Sequence, residues 1–247
     1  MRMSPIMRSL QTITLVIVAS HSCYSQQVSS KSYQFNFGLT AGINFSTLRV
    51  QHNSAGANTT VSKPEAETQI GYQIGVPFKV TRNQFFISGS LLFVNNNTQV
   101  INQDDFNSML YKTENDFQWL KIPLNFNYIF LQKSTHRFFV GLGATTGKLL
   151  NATTQVSADF GTTTISGNKI NTNETFRKWS VFGAAQVGGD LLIASSIPIT
   201  ITLSYDHNLN NLMDELPNNP NMSFDYGFVQ PKARMTSAAL SISYFIK

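Results

Sequence analysis

The stretch Leu120-Lys121-Ile122-Pro123-Leu124-Asn125-Phe126-Asn127-Tyr128-Ile129-Phe130 decides how this sequence folds. Leu120, Ile122, Leu124, Phe126, Tyr128 and Phe130 take every second position, and Lys121, Pro123, Asn125, Asn127 and Ile129 take the others. Successive side chains of a β-strand point to opposite faces, so a period of two predicts a strand with one apolar face. The pattern recurs along the chain. Phe35 to Phe45 alternates with Asn36 to Ser46, Ile70 to Val80 with Gly71 to Thr81, Ile197 to Tyr205 with Pro198 to Asp206, and Ala238 to Ile246 with Ser237 to Phe245. Weaker alternation runs near 84–95, 137–148 and 179–193. The reading is eight strands of about ten to fifteen residues, where a globular strand has about 5–6 and a tilted membrane strand about 9–11. Eight in series with no helices between them predict an all-β fold: an eight-stranded antiparallel up-and-down transmembrane β-barrel.

Composition narrows the field. Charged residues make up 13% of the 247, and apolar residues 42%. A typical chain has about 25% charged residues, so neutral polar residues have taken the place of charge. Disordered chains are highly charged and poor in aromatics, and helical bundles are rich in Ala, Glu, Lys and Leu, so both are excluded. One cysteine rules out a disulfide framework. The 18 basic residues are scattered, with no stripe of the kind that tracks nucleic acid.

The polar face tells inside from outside. It carries Gly, Asn, Ser, Thr and Gln, with few charges: Lys79, Lys121, Arg137, Asp190 and Asp206. A water-facing wall would carry many Lys and Glu residues, whereas small neutral side chains suit the crowded interior of an eight-stranded barrel. The apolar face then meets lipid, the partner this reading assigns. The alternative is a soluble lipocalin-like ligand-binding barrel with the apolar face inward. Phe45, Trp179, Tyr205 and Tyr244 are candidates for interfacial girdles. The lumen charges are expected to pair into a plugging salt-bridge network rather than line a pore. Pro77 and Pro123 fall on the inward face, at bulges or strand ends, since proline removes a ladder hydrogen bond.

Connections alternate in length. Thr81-Arg82-Asn83, Gln132 to Thr135 and Ala194 to Ser196 read as tight turns, and 46–68, 96–116, 149–177 and 209–233 as long polar loops. Outer-membrane barrels have short periplasmic turns and long external loops, which puts both termini on the periplasmic side. Residues 1–25 read as a signal peptide cleaved near Ser25: Arg2 and Arg8 precede a short apolar run, Leu10 to Ala19. Removing Arg2 and Arg8 takes the net charge from +5 to +3. Cys23 offers a second reading, as a lipidated cysteine. The barrel domain is assigned to 33–247, in the cell outer membrane and as a monomer.

Trp119-Leu120-Lys121-Ile122-Pro123-Leu124 resembles the Tyr-Leu-Glu-Ile-Pro-Leu strand of the PorT-like outer-membrane β-barrel family of Bacteroidota. Gly38 to Ser46 is similar to that family's opening strand, and Gly141-Leu142-Gly143 to its fifth. Ser243-Tyr244-Phe245 resembles the aromatic ending of outer-membrane barrels. Lys121 stands where the family usually has Glu. The resemblance implies an eight-stranded outer-membrane barrel, and one member is linked to protein secretion, which makes envelope or secretion proteins candidate partners.

No residue set is assigned to catalysis, cofactor or metal. Of His52, His136 and His207, the last follows Asp206 and lies near Ser204, a fragment of a hydrolytic dyad. Adjacent strand residues face apart, so Asp206 is read as a lumen carboxylate and His207 as a rim residue. Asp104-Asp105 and Asp214-Glu215 are loop carboxylate pairs read as solvated, and Gly188-Gly189 as close packing or a bulge. The expected role is structural, or binding through the external loops, with no large pore.

Overall fold

A computed structural model describes residues 33–51, 65–104, 109–133, 136–160, 163–193, 197–213 and 232–246. The signal region and its cleavage point lie outside the described residues. Ten strands follow in order: β1 (Gln34–Gln51), β2 (Glu65–Arg82), β3 (Phe85–Asp104), β4 (Met109–Gln132), β5 (His136–Asp159), β6 (Thr164–Ser166), β7 (Ile170–Asn171), β8 (Trp179–Ile193), β9 (Ile197–Asn208) and β10 (Lys232–Ile246). Eight of them hydrogen-bond in a ring, in the order β4-β3-β2-β1-β10-β9-β8-β5, closed by β4 against β5. All pairings are antiparallel. The eight-stranded up-and-down barrel is therefore the observed fold. The short β6 and β7 pair with β5 beyond the point where β8 leaves it, so the β5–β8 connection covers the free edge of β5.

The faces fall as the alternation predicts. On β4, Ile122, Leu124, Phe126, Tyr128 and Phe130 are exposed outward while Lys121, Asn125 and Asn127 are buried inward. On β1 and β10, Phe37, Leu39, Ile43, Leu240, Ile242 and Tyr244 face out, and Thr40, Asn44, Ser241 and Ser243 face in. The soluble alternative needs the opposite arrangement and is overturned. An exposed apolar belt this extensive suits hydrocarbon, where the closed ring satisfies every backbone N–H and C=O within the protein. Phe45, Trp179, Tyr205 and Tyr244 are exposed on this outer face. Trp179 receives the Lys148 ammonium 5.9 Å from its ring centroid.

Three expectations need correction. The eight strands of the ring are 12 to 24 residues long, and β1 to β5 exceed the expected ten to fifteen. The long connections shrink accordingly: β3 runs to Asp104 and β4 begins at Met109, and β5 continues to Asp159. The hydrophobic alternation stops where the outward residues leave lipid, but the hydrogen-bond ladder does not. Polar side chains carry it on, as where Asn95 Nδ2 donates to Asp116 Oδ1 at 2.6 Å and Gln69 Nε2 to Gln99 Oε1 at 3.1 Å. The prolines sit at neither bulges nor strand ends. The β1–β2 ladder skips from Phe37–Phe78 to Thr40–Gly75 around Pro77, and the β3–β4 ladder from Gly89–Leu124 to Leu92–Lys121 around Pro123. Register is unchanged across both gaps, and each proline keeps its other neighbour, Ser90 and Thr145 respectively. A bulge does occur higher up, between Gln118 and Trp119, where Leu150 is the extra residue of β5.

At the short-turn end, Asn83 makes the β2–β3 turn with φ 55°, a left-handed conformation that Asn tolerates better than most residues. Inward glycines make room in the narrow lumen. A Cβ at Gly141 or Gly143 would collide with the side chains of Asn127 or Asn125 on β4. Gly188 lies against the Phe139 ring, so the Gly188-Gly189 pair serves close packing, and the β8 ladders pass through it without a bulge.

Leu124 and Ile201 lie on the outward face away from the strand ends. Leu124→Arg and Ile201→Arg are expected to cost about 2–4 kcal/mol each, and Tyr205→Arg, nearer the loop end, about 0–1 kcal/mol. Refolding titrations into lipid vesicles measure the difference, and equal penalties at the three positions would place this face outside a bilayer.

Candidate functional site

The lumen holds the buried charge, and its acids and bases pair, as the sequence predicts. Near the short-turn end, Lys79 of β2, Arg137 of β5 and Asp190 of β8 converge. Lys79 Nζ lies 2.6 Å from Asp190 Oδ2, and Arg137 Nη2 lies 2.9 Å from the same oxygen. Thr200 Oγ1 donates to Asp190 Oδ1 at 2.6 Å. The Lys79 ammonium also stands 4.2, 5.5 and 5.7 Å from the ring centroids of Phe86, Phe139 and Phe245. Two cations share one carboxylate, and the aromatic faces supply further negative potential around the lysine.

A second pair sits nearer the long-loop end. Lys121 Nζ of β4 is 3.2 Å from Asp206 Oδ2 of β9, Thr145 Oγ1 donates to Asp206 Oδ1 at 3.2 Å, and the ammonium lies 4.3 Å from the Phe182 ring centroid. Between the two layers, neutral side chains bond across the lumen. Gln186 Nε2 donates to Asn127 Oδ1 at 2.5 Å and to Ser88 Oγ at 3.1 Å, and Asn127 Nδ2 donates to Ser88 Oγ at 2.9 Å. A cavity of about 90 Å³ is bordered by Lys121, Asp206, Asn125 and Gln186 and reaches Lys79. That is room for a few water molecules.

Above the polar layers the lumen is apolar, which the polar-face composition did not predict. Trp119, Phe117, Phe182, Leu212 and Met235 are fully buried, and Leu48, Val94, Leu149 and Phe176 join them. Phe117 meets Phe176 edge-on at 4.8 Å, and Trp119 meets Phe182 at 6.1 Å. The segments after β7 and β9 are drawn in over this cluster. Arg177 N–H donates to the Leu212 carbonyl at 2.7 Å, and Leu212 N–H to that of Ala233 at 2.9 Å. The signal was present in the sequence: Trp119 and Phe117 share the parity of Lys121, and Met235 that of Ser237. A large apolar residue on the polar parity near a loop marks such a plug.

The candidate dyad does not assemble. Ser204 and Asp206 both border the lumen cavity. Asp206 is engaged by Lys121 and Thr145, and His207, the next residue on the strand, faces the other way. His136 lies at the short-turn end against Phe138. His52, Asp105, Asp214 and Glu215 lie outside the described residues, and Asp104 ends β3. Among the described residues no three of His, Cys, Asp and Glu gather as a metal site.

Asp190 neutralises two lumen cations and Asp206 one, so the two carboxylates are expected to differ in weight. Asp190→Asn should destabilise the barrel by about 3 kcal/mol, the usual scale for leaving buried charge unpaired, and Asp206→Asn by clearly less. Urea titration of the folded barrel in vesicles, read by heat-modifiable gel mobility, orders the two.

The model of the outer membrane protein beta-barrel domain family matches residues 24–214. No curated protein matches the sequence. Among solved structures, the outer membrane protein OprG from Pseudomonas aeruginosa aligns at 12% identity and a TM-score of 0.46, over 88% of this chain and 96% of that one. The outer membrane protease OmpT from Escherichia coli aligns at 8% identity and a TM-score of 0.47, over 88% and 99%. Neisserial surface protein A aligns at 11% identity and a TM-score of 0.35, over 84% and 96%. At these identities nothing of what those proteins do carries over. The family match spans most of the chain, and with the closed ring and its lipid-facing belt it makes this protein a member of the outer membrane protein beta-barrel domain family, seated in the outer membrane.

Proposed function

We propose that this protein is a non-conducting, non-catalytic outer-membrane barrel whose role is structural or is exercised through the surface it raises at its long-loop end. The observation that carries this reading is a lumen crossed by ion pairs, amide hydrogen bonds and an apolar cluster around a cavity of about 90 Å³, while the wall continues far beyond the lipid belt. β4 and β5 each have 24 residues, yet the apolar belt on β4 ends at Leu120. Beyond it stands a leaf of β3, β4 and β5 edged by β6 and β7. Val156, Ile165 and Ile170 lie on one face of this leaf, because Ile165 pairs with Ala158 and Ile170 with Thr154. They are 46%, 60% and 57% exposed. Apolar side chains held clear of the bilayer on a rigid sheet make a binding surface.

In this reading the long-loop end is external and both termini are periplasmic, following the asymmetry of outer-membrane barrels. The chain is exported by the signal at 1–25, cleaved near Ser25, and works as a monomer. The resemblance of the Ile122-Pro123-Leu124 strand and the Gly38–Ser46 opening to the PorT-like barrels of Bacteroidota supports envelope proteins, those of secretion included, as its partner class.

Two measurements test this. Purified protein in planar bilayers is expected to show no stable large conductance, because eight strands leave an interior that side chains fill; a reproducible large pore would overturn the closed lumen. Protease added to intact cells should cut within 52–64 and 214–231 and spare 83–84 and 194–196. It should also spare 96–104 and 149–159, which are ladder rather than loop. Cleavage at the short turns would reverse the orientation.

A further inference from the structure

The geometry points to a second site, on the outer wall, where β1 and β10 bind the phosphate of a lipid headgroup. Along this seam the outward residues pair directly: Ile43 with Leu240, Phe45 with Ala238, Thr47 with Thr236, and then Arg49 with Arg234. Both arginines are exposed, and Lys232, two residues further on β10, is exposed on the same face. Like charges directly opposite each other on adjacent strands are destabilising. Among the described residues no carboxylate lies within ion-pair distance of any of the three. Other cations of the wall and lumen are engaged: Lys79, Lys121 and Arg137 by aspartates, Arg82 by Tyr33, and Lys148 by Trp179.

Depth identifies the anion. Arg49 lies four residues past Phe45, about 13 Å along the strand and about 10 Å along the normal for a strand tilted near 40°. The polar zone on each side of the hydrocarbon is about 5–8 Å thick. A side chain leaning back toward the membrane therefore sets its guanidinium at the level of headgroup phosphates. Two facing guanidinium forks suit the oxygens of a phosphate, and the anion relieves their mutual repulsion. The source is a lipid and not free phosphate because the pair crowns an exposed apolar column of Ile43, Phe45 and Leu240, which offers an acyl chain a track directly beneath its headgroup. The inference uses the belt and the β1–β10 register and is independent of the role proposed above.

The test uses the full barrel folded into phosphatidylcholine vesicles holding a minor fraction of phosphatidylglycerol, with lipid retained through detergent extraction read by native mass spectrometry. The wild type is expected to retain phosphatidylglycerol in preference to phosphatidylcholine. Arg49→Gln with Arg234→Gln should weaken that preference about thirtyfold, from about 1 kcal/mol for each basic residue near an anionic surface, and Lys148→Gln should leave it unchanged. If the double variant does not fold by heat-modifiable mobility, Arg49→Gln alone should show about a fivefold loss on the same scale. Undiminished preference in the folded variant would overturn the site. So would an equal loss in Lys148→Gln, which would make the effect one of diffuse rim charge. Displacement of the lipid by inorganic phosphate as readily as by free phosphatidylglycerol would assign the arginines to a soluble anion and overturn the lipid assignment.

Discussion

Ring closure is the constraint on which the rest of this structure depends. In hydrocarbon an unpaired backbone N–H or C=O costs several kcal/mol, so a sheet can cross a bilayer only if it has no edge. Here β1 against β10 and β4 against β5 remove the last two edges. The two prolines show how far the ring tolerates interruption. Each suspends one ladder for two residues without changing register, while the ladder on its other side continues. Above the belt, where water can satisfy an edge, the long β5 is still paired, by β6 and β7 from its own connection.

Closure with eight strands fixes a narrow lumen, and two kinds of side chain fill it. Toward the short turns the filling is ionic and polar, with two cations on Asp190 and one on Asp206. Toward the loops it is aromatic and aliphatic around Trp119. The polar layers need exact partners because an unpaired buried charge is costly. The apolar layer needs only shape, and it draws Phe176 and Leu212 inward as a lid fixed by backbone hydrogen bonds. Together they brace the wall from within.

Two exposed regions are chemically distinct. The leaf beyond the belt exposes Val156, Ile165 and Ile170 on a hydrogen-bonded sheet, the surface proposed above for binding. The β1–β10 seam presents Arg49 opposite Arg234 on the outward face above Ile43, Phe45 and Leu240, the surface proposed to bind a lipid headgroup. Both lie on strands that outrun the hydrocarbon, the arginines on the outward face and Val156 on the face that Ala152 and Phe117 turn to the lumen.

The sequence by itself determined the number of barrel strands, their faces and which charges enter the lumen, because a period of two is a local property. Leu124 and Asn125 must point oppositely whatever the strand's neighbours are, and a carboxylate such as Asp190 on a crowded inward face must find a cation. The same local rule separated Asp206 from His207. It was silent where hydrophobicity stops reporting on structure. The residues from Asn95 to Gln99 and from Thr113 to Asp116 lack the apolar signal, yet they are strand, since ladder hydrogen bonds do not depend on which side chains face out. Only the tertiary structure decided which residues meet across the ring: that Arg49 stands opposite Arg234, 185 positions away in the chain, and that Trp119, Phe182 and Leu212 close the lumen together. Such pairings are set by strand register around the closed barrel, and no window of sequence contains both partners.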